Sequence, residues 1–215
     1  MAGLAVCGGS VLRGFDLSLP GALFVQRHGT ERYLLPHRID HLANMRSVAE
    51  AGCDRVLGIG SVGGLQPELG PGALICPDDF VALGVDPMPF DDERAHSVPR
   101  FDPNWRRRVV AAWRDRVGSP IADGGVYWQT RGPRLETPAE IRLIAAHAQV
   151  VGMTIASECL AAAGAGLAYA AICVVDNLAN GVSERVLTIE ELEAGRARNR
   201  DAFARGLRQL VPALA

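Results

Sequence analysis

The chain has 215 residues, 48% of them hydrophobic, with 22 basic and 24 acidic residues and a formal net charge of −2. This length favours a single globular domain over residues 1–215, and the slightly acidic balance makes nucleic acid an improbable partner. Every basic residue is an arginine, which excludes a P-loop lysine and a Schiff-base lysine.

The order of strands and helices along the chain favours an α/β sandwich. Runs rich in Val, Leu and Ile, bounded by Gly, Pro or Asp, predict buried strands at 4–7, 22–25, 55–59, 73–76, 125–128 and 168–175. Helical patterns lie between them at 39–51, 104–117, 138–148, 156–165 and 189–214. Residues 85–103, rich in Pro and acidic side chains, are expected to form a loop.

The segment GIGSVGGL, residues 58–65, contains the GxGxxG spacing of dinucleotide-binding turns. The QPELGPG that follows would break the helix that such a turn requires, so a nicotinamide site is excluded. Gly60 and Ser61 remain candidates for contact with a phosphate or a ribose, and a tight packing turn is an equally good alternative.

Two other segments follow predicted strands and could bind an anion. GGS at residues 8–10 offers backbone N–H groups and the Ser10 hydroxyl, and RHG at 27–29 offers the fork of Arg27 beside His28. Alone, the first is more often a turn and the second a surface pair. Together with Ser61 and a later threonine, Thr154, they predict an anion site.

A second cluster predicts recognition of a planar base. An ionised carboxylate such as Glu136 only accepts hydrogen bonds, whereas the carboxamide of Asn177 both donates and accepts. A 6-oxopurine requires both properties, although either residue alone is more often a helix cap or a turn residue. Thr137 and Glu140 form a capping-box pattern that places Glu136 just before a helix. Met153 offers an apolar face for a sugar, or is simply a core residue.

The cysteines are five in number, scattered, and never in a CxxC pair, which suits reduced thiols better than disulfides or a zinc site. No apolar run reaches the roughly 18 residues of a membrane span, and no signal-peptide pattern begins the chain. The expectation is therefore a cytoplasmic protein without a metal or a membrane partner.

Five segments in this order resemble the trimeric purine nucleoside phosphorylase and methylthioadenosine phosphorylase family, from about residue 27 to the last helix. They are RHG, LANMRSVAEAGCDRVLGIGSVGGLQPELGPG, GPRLETPAEIR, VGMTIASE and the Asp-Asn pair at 176–177. The resemblance implies a single-domain α/β/α sandwich with a mixed, partly barrel-like sheet. It also implies a homotrimer that uses inorganic phosphate as co-substrate and no other cofactor.

Carried onto this sequence, the resemblance assigns roles to individual residues. It implies phosphate contacts from Ser10, Arg27, His28, Ser61 and Thr154, a ribose contact from Met153, and base contacts from Leu135, Glu136 and Asn177. Of these, Asn177, Glu136 and His28 would be the catalytic residues. Members acting on 6-aminopurines carry Ser and Asp at positions 136 and 177, so this chain is similar to the 6-oxopurine branch.

The remaining implications concern the 5′ side and the partner subunit. Relatives that act on ordinary ribonucleosides place a His near the start of the last helix. This chain has apolar residues there, such as Val186 or Ile189. They suit a methylthio group and resemble the methylthioinosine-preferring members. His96 matches a residue that the family lends to a neighbouring pocket. The segment between Gly8 and Arg27 is shorter than in relatives, so a nucleoside hydrolase and a non-catalytic purine binder stay open as alternatives. Methylthioadenosine phosphorolysis is a third.

Overall fold

The structure, a computed structural model, describes residues 3–13, 17–85, 87–183 and 187–215. Within these ranges the chain forms nine strands. They are β1 Gly3–Gly8, β2 Ala22–Gln26, β3 Cys53–Gly64, β4 Leu74–Cys76, β5 Asp79–Val81, β6 Ala122–Asp123, β7 Val126–Gln129, β8 Val150–Gly152 and β9 Ala168–Leu178. The same ranges contain five α-helices: α1 His41–Glu50, α2 Pro103–Arg116, α3 Pro138–Ala145, α4 Ile155–Gly164 and α5 Ile189–Leu214.

One mixed sheet contains all nine strands, and its centre is the pair of long strands β3 and β9. One edge of β3 pairs in parallel with β1 over its first half and antiparallel with β8 at Gly63 and Gly64. The sheet therefore branches at β3, with β1 and β2 on one branch and β8, β7 and β5 on the other. This branching curls the sheet into the half-barrel that the resemblance implied.

Helices cover both faces of the sheet, because side chains alternate between its two sides along each buried strand. On β1, Leu4 and Val6 join a cluster with the apolar faces of α2 and α5. Ala5 and Cys7 point the other way and join a cluster with α1 and α4. A smaller cluster packs α3 against the β8 branch. The α/β/α layering expected from the sequence is thus confirmed.

The glycine-rich segment is part of a strand, so the tight packing turn considered for it from the sequence is wrong. Residues Gly58 to Gly64 continue β3 between its neighbours. A side chain at Gly58 would overlap the Tyr169 hydroxyl, and one at Gly60 would overlap the Cys173 sulfur. These glycines allow β9 and α4 to pack closely on β3.

The predicted start of α3 is confirmed, whereas three short strands were missed. Thr137 Oγ1 accepts a hydrogen bond from the Glu140 backbone, and the Glu140 carboxylate accepts one from the Thr137 backbone. Strands β5, β6 and β8 have three residues or fewer, too few for a periodic pattern. In the described part of the expected loop 85–103, the structure has one 3₁₀ turn, Glu93–His96, and the last residue, Pro103, already begins α2.

The carboxyl ends of β1, β2, β3 and β9 point toward the same edge because these strands are parallel. Ligands of open α/β sheets bind beyond such an edge. None of the described helices combines the length and the apolar character needed to cross a lipid bilayer.

Candidate active site

A cleft opens at this edge, the position at which open α/β sheets bind their ligands. Nine residues singled out from the sequence line it: Ser10, Arg27, His28, Ser61, Leu135, Glu136, Met153, Thr154 and Asn177. The two expected halves, one for an anion and one for a base, therefore share one space.

Arg27 is buried and held by an ion pair that the sequence did not reveal. Its Nε donates to Glu158 Oε2 at 2.6 Å, and its Nη2 donates to Glu158 Oε1 at 2.6 Å. Further bonds run from Nη1 to the Ile59 carbonyl at 2.7 Å and from Nη2 to the Cys7 carbonyl at 3.3 Å. Burial favours the neutral form of both partners, but the pair outweighs it, so the pKa of Glu158 lies below its usual value and that of Arg27 above. The pair as a whole carries no net charge.

His28 enters the cleft as a neutral imidazole. Burial lowers its pKa to about 4, more than the bond to the Leu34 carbonyl opposes. That carbonyl can only accept, at 2.8 Å from Nδ1, so Nδ1 carries the proton and Nε2 is the acceptor. The ring stacks on Tyr33 at 4.7 Å between centroids. His28 Nε2 can thus accept a hydrogen bond from a protonated phosphate oxygen, but the ring supplies no positive charge near neutral pH.

Ser61 is held by a buried carboxylate, Asp176. Its hydroxyl forms a short hydrogen bond with Asp176 Oδ2, and Asp176 Oδ1 accepts from Asn199 Nδ2 at 2.8 Å. Burial raises the pKa of Asp176, and the bonds from Ser61 and Asn199 oppose the shift. Asp176 therefore acts on Ser61, in the anion half, and has no hydrogen bond with the neighbouring Asn177.

Thr154 keeps its hydroxyl available because two other side chains satisfy the first turn of α4. The Tyr127 hydroxyl accepts from the backbone of Thr154 and Ile155 at 3.2 and 3.3 Å. Gln129 Oε1 accepts from the backbone of the next two residues at 2.8 and 3.1 Å. As the N-cap, Thr154 makes no side-chain capping bond. Its hydroxyl therefore lies at the positive end of a helix with its donor free to meet an anion.

Glu136 is oriented by bonds that leave one carboxylate oxygen open. Thr130 Oγ1 donates to Glu136 Oε1 at 2.5 Å, and Asn180 Nδ2 donates to the Glu136 carbonyl at 3.2 Å. Oε2 of this buried carboxylate can accept an N–H from a ligand.

Asn177 lies opposite Gly63 of β3, beyond an irregularity in the strand register. Its Nδ2 donates one hydrogen to the Leu178 carbonyl at 2.8 Å. The second Nδ2 hydrogen and Oδ1 remain for a ligand, so Asn177 can donate and accept at the same time.

The apolar wall of the cleft differs from the sequence prediction. Ile189 does not line it and is 56% exposed, whereas Leu187 and Leu192 do line it. Ile189 is the first residue of α5, and its side chain is turned toward solvent. Val186 lies outside the described residues. His96 ends an exposed 3₁₀ turn away from this cleft, so its contribution to a partner's pocket stays a prediction.

Three groups at the site were not singled out from the sequence: Glu158, Gln129 and Arg196. Glu158 ends the VGMTIASE segment, and Gln129 directly follows the strand predicted at 125–128. An acid and an amide in such apolar surroundings signal a need for partners. Arg196 had no such signal, because it is one of several arginines on α5. Among the described residues, no cluster of His, Cys, Asp and Glu could hold a metal ion.

Comparison with known proteins gives a consistent result. A family model described as the phosphorylase superfamily matches residues 19–212. A probable 6-oxopurine nucleoside phosphorylase of Archaeoglobus fulgidus is 40% identical over 179 residues, covering 83% of this chain and 72% of that protein. A probable S-methyl-5′-thioinosine phosphorylase of Methanothermobacter thermautotrophicus is 36% identical, covering 79% of this chain but only 60% of that longer protein. The solved methylthioadenosine phosphorylase of Schistosoma mansoni in complex with adenine has a TM-score of 0.81 over 99% of this chain and 91% of its own. At 19% identity, this match supports the fold alone.

Proposed function

This chain belongs to the phosphorylase superfamily, and from that premise we propose that it phosphorolyses a 6-oxopurine nucleoside. The products are the free purine and a pentose 1-phosphate. The observation that carries the proposal is the meeting of Glu136 and Asn177 with Arg27, His28 and Thr154 in one cleft. The names of the A. fulgidus and M. thermautotrophicus relatives support the same base class.

Phosphate binds in the half of the cleft formed by the ends of β1, β2 and β3 and the start of α4. Thr154 Oγ1 and the remaining Nη1 hydrogen of Arg27 donate to phosphate oxygens, and Ser10 lines the same space. His28 Nε2 accepts a hydrogen bond from the protonated phosphate oxygen, which orients an unprotonated oxygen toward C1′. Holding the anion beneath the sugar replaces a bimolecular encounter with a positioned one.

The purine binds in the other half. Glu136 Oε2 accepts N1–H of the 6-oxopurine, and Asn177 donates to O6. As the purine departs, N7 gains a proton from solvent, and Asn177 Oδ1 accepts the hydrogen bond from it. As the C1′–N9 bond breaks, its electron pair moves onto the purine and a phosphate oxygen forms the new bond to C1′. Contacts that strengthen with this charge stabilise the transition state more than the bound substrate.

The sugar lies between the two halves, against Met153. Leu187 and Leu192 give the wall near the start of α5 an apolar character, which suits a methylthio group at the 5′ position better than a hydroxyl. S-Methyl-5′-thioinosine is therefore the favoured nucleoside and inosine the second. The proposed setting is a cytoplasmic homotrimer active in purine salvage, with His96 lent to a neighbouring subunit.

The base preference is tested by measuring kcat/KM for S-methyl-5′-thioinosine, inosine and S-methyl-5′-thioadenosine at saturating phosphate. We expect both 6-oxopurines to exceed the 6-aminopurine, because an amino group at C6 and an unprotonated N1 offer Glu136 no donor at N1. Faster cleavage of the adenosine analogue would contradict the assignment and favour methylthioadenosine phosphorolysis.

A further inference from the structure

The phosphate half of the cleft has less positive charge than its residues first suggest. Arg27 is neutralised by Glu158 at 2.6 Å, and His28 is neutral because its pKa is about 4. The nearby acidic residues, Glu136 in the base half and Asp176 beside Ser61, add no positive charge. Phosphate carries one to two negative charges near pH 7, and burying it without a cation is costly.

Arg196 is a second arginine in the wall of the same cleft, which it lines together with Ser10 and Ser61. Its side chain is 29% exposed, while its Nε is buried without a hydrogen-bond partner. The carboxylate that faces it is Asp176, whose Oδ2 lies 3.9 Å from that Nε and is already bonded by Ser61. A distance of 3.9 Å is beyond hydrogen-bond range, so this guanidinium has donor capacity that the protein does not use.

The position of Arg196 is fixed by the residue before it. A side chain at Gly195 would overlap the Asp176 carbonyl oxygen. Glycine there lets α5 approach β9 closely, and this approach delivers Arg196 to the carboxyl edge of the sheet. The charge acts within the site, since Arg196 is among the groups that lower the pKa of His28, after burial and Arg27.

The surroundings of Arg196 favour an anion. A neighbouring cavity shares Ser10 and Arg196 with the cleft and is also lined by Arg13 and by Arg200, which pairs with Asp201 at 3.2 Å. Glu193 is the single acidic side chain among the described residues of this cavity wall. An anion beside Arg196 therefore meets a region of net positive charge.

We propose, building on the phosphorolysis proposed above, that Arg196 is a phosphate-binding residue of this site. Its guanidinium donates to phosphate oxygens from the α5 side, opposite the start of α4. It supplies a guanidinium with unused donors, whereas Arg27 is bonded by Glu158 and His28 is neutral.

The test compares Arg196→Gln with Arg205→Gln, a control on the exposed side of the same helix. Arg196→Gln is expected to raise the KM for phosphate about 10- to 100-fold, the effect of losing a hydrogen bond to a charged group. The KM of Arg196→Gln for the nucleoside should change less than about threefold. Both KM values of Arg205→Gln should match those of the wild type. Phosphate should also raise the thermal midpoint of the wild type and of Arg205→Gln, and much less that of Arg196→Gln.

The outcomes separate this inference from the proposed function. A wild type that cleaves nucleosides without phosphate refutes the phosphorolysis, and the thermal midpoints then still report whether Arg196 binds phosphate. A wild type that needs phosphate, combined with an Arg196→Gln variant whose phosphate KM is unchanged, overturns the role of Arg196 alone. If Arg196→Gln does not fold, Arg196→Met, which keeps an aliphatic side chain and removes the charge, replaces it. A raised phosphate KM at constant nucleoside KM then supports the role, and an unchanged one overturns it.

Discussion

Replacing Asn177 with alanine is expected to lower kcat/KM for 6-oxopurine nucleosides by about 10²- to 10³-fold, the loss typical of one transition-state donor. The carboxamide contacts the part of the purine on which charge develops, and its one internal bond, to the Leu178 carbonyl, leaves a donor and an acceptor for the base. Because these contacts strengthen as the glycosidic bond breaks, most of the loss should appear in kcat.

Asn104→Ala serves as the control. Asn104 is exposed at the start of α2, and its side-chain oxygen accepts a hydrogen bond from Arg107. Asn177→Asp adds a test of specificity. An ionised carboxylate accepts from a 6-amino group but cannot donate to O6, so the ratio of specificity constants should move toward 6-aminopurines. An unchanged ratio, or an Asn177→Ala variant as active as Asn104→Ala, would contradict the role of Asn177.

Replacing Glu158 with leucine is expected to lower the free energy of unfolding by about 3–5 kcal/mol, the cost of leaving a buried charge unpaired. Glu158 accepts two hydrogen bonds from Arg27 at 2.6 Å and one from the Tyr169 hydroxyl at 2.7 Å, with both charged side chains essentially inaccessible to water. Because Arg27 is buried, water cannot reach its guanidinium to replace the lost carboxylate. Urea unfolding followed by circular dichroism measures the loss.

A matched control exists on α3, where Arg134 pairs with Glu140 at 2.7 Å but in solvent. Arg134→Gln should cost no more than about 1 kcal/mol, because exposed pairs contribute little. The double variant Arg27→Met/Glu158→Leu should be more stable than Glu158→Leu alone, since it leaves no buried charge. Equal losses for Glu158→Leu and Arg134→Gln would show that burial does not strengthen the Arg27 pair.

Local patterns in the sequence were sufficient to predict the layers of the fold. Alternation along β1 and the periodic apolar faces of α2 and α5 depend on neighbouring residues alone, and so does the capping box at Thr137. The glycine-rich segment was ambiguous for the same reason. What distinguishes a strand from a turn there is the close packing of Tyr169 and Cys173, more than a hundred residues later in the chain.

The candidate site shows the same contrast between local patterns, which the sequence reveals, and distant partnerships, which it does not. Residue types and order, together with the family resemblance, singled out nine residues of the cleft, from Ser10 to Asn177, and the structure brings them together. Partnerships between distant residues were not visible. Glu158 stands 131 residues from Arg27, and Asp176 stands 115 residues from Ser61. Because Glu158 neutralises Arg27, the phosphate half needs another cation, and this need is visible only in the structure. The role of Arg196 therefore emerged from the three-dimensional arrangement and not from the sequence.

Phosphorolysis is tested most directly by following the release of purine from S-methyl-5′-thioinosine by the purified protein, with and without inorganic phosphate. The sugar product is identified by ³¹P NMR. We expect base release only when phosphate is present, with one pentose 1-phosphate formed for each purine released. Purine release at the same rate without phosphate, yielding the free sugar, would contradict it and identify a hydrolase, and tight purine binding without turnover would identify a non-catalytic binder.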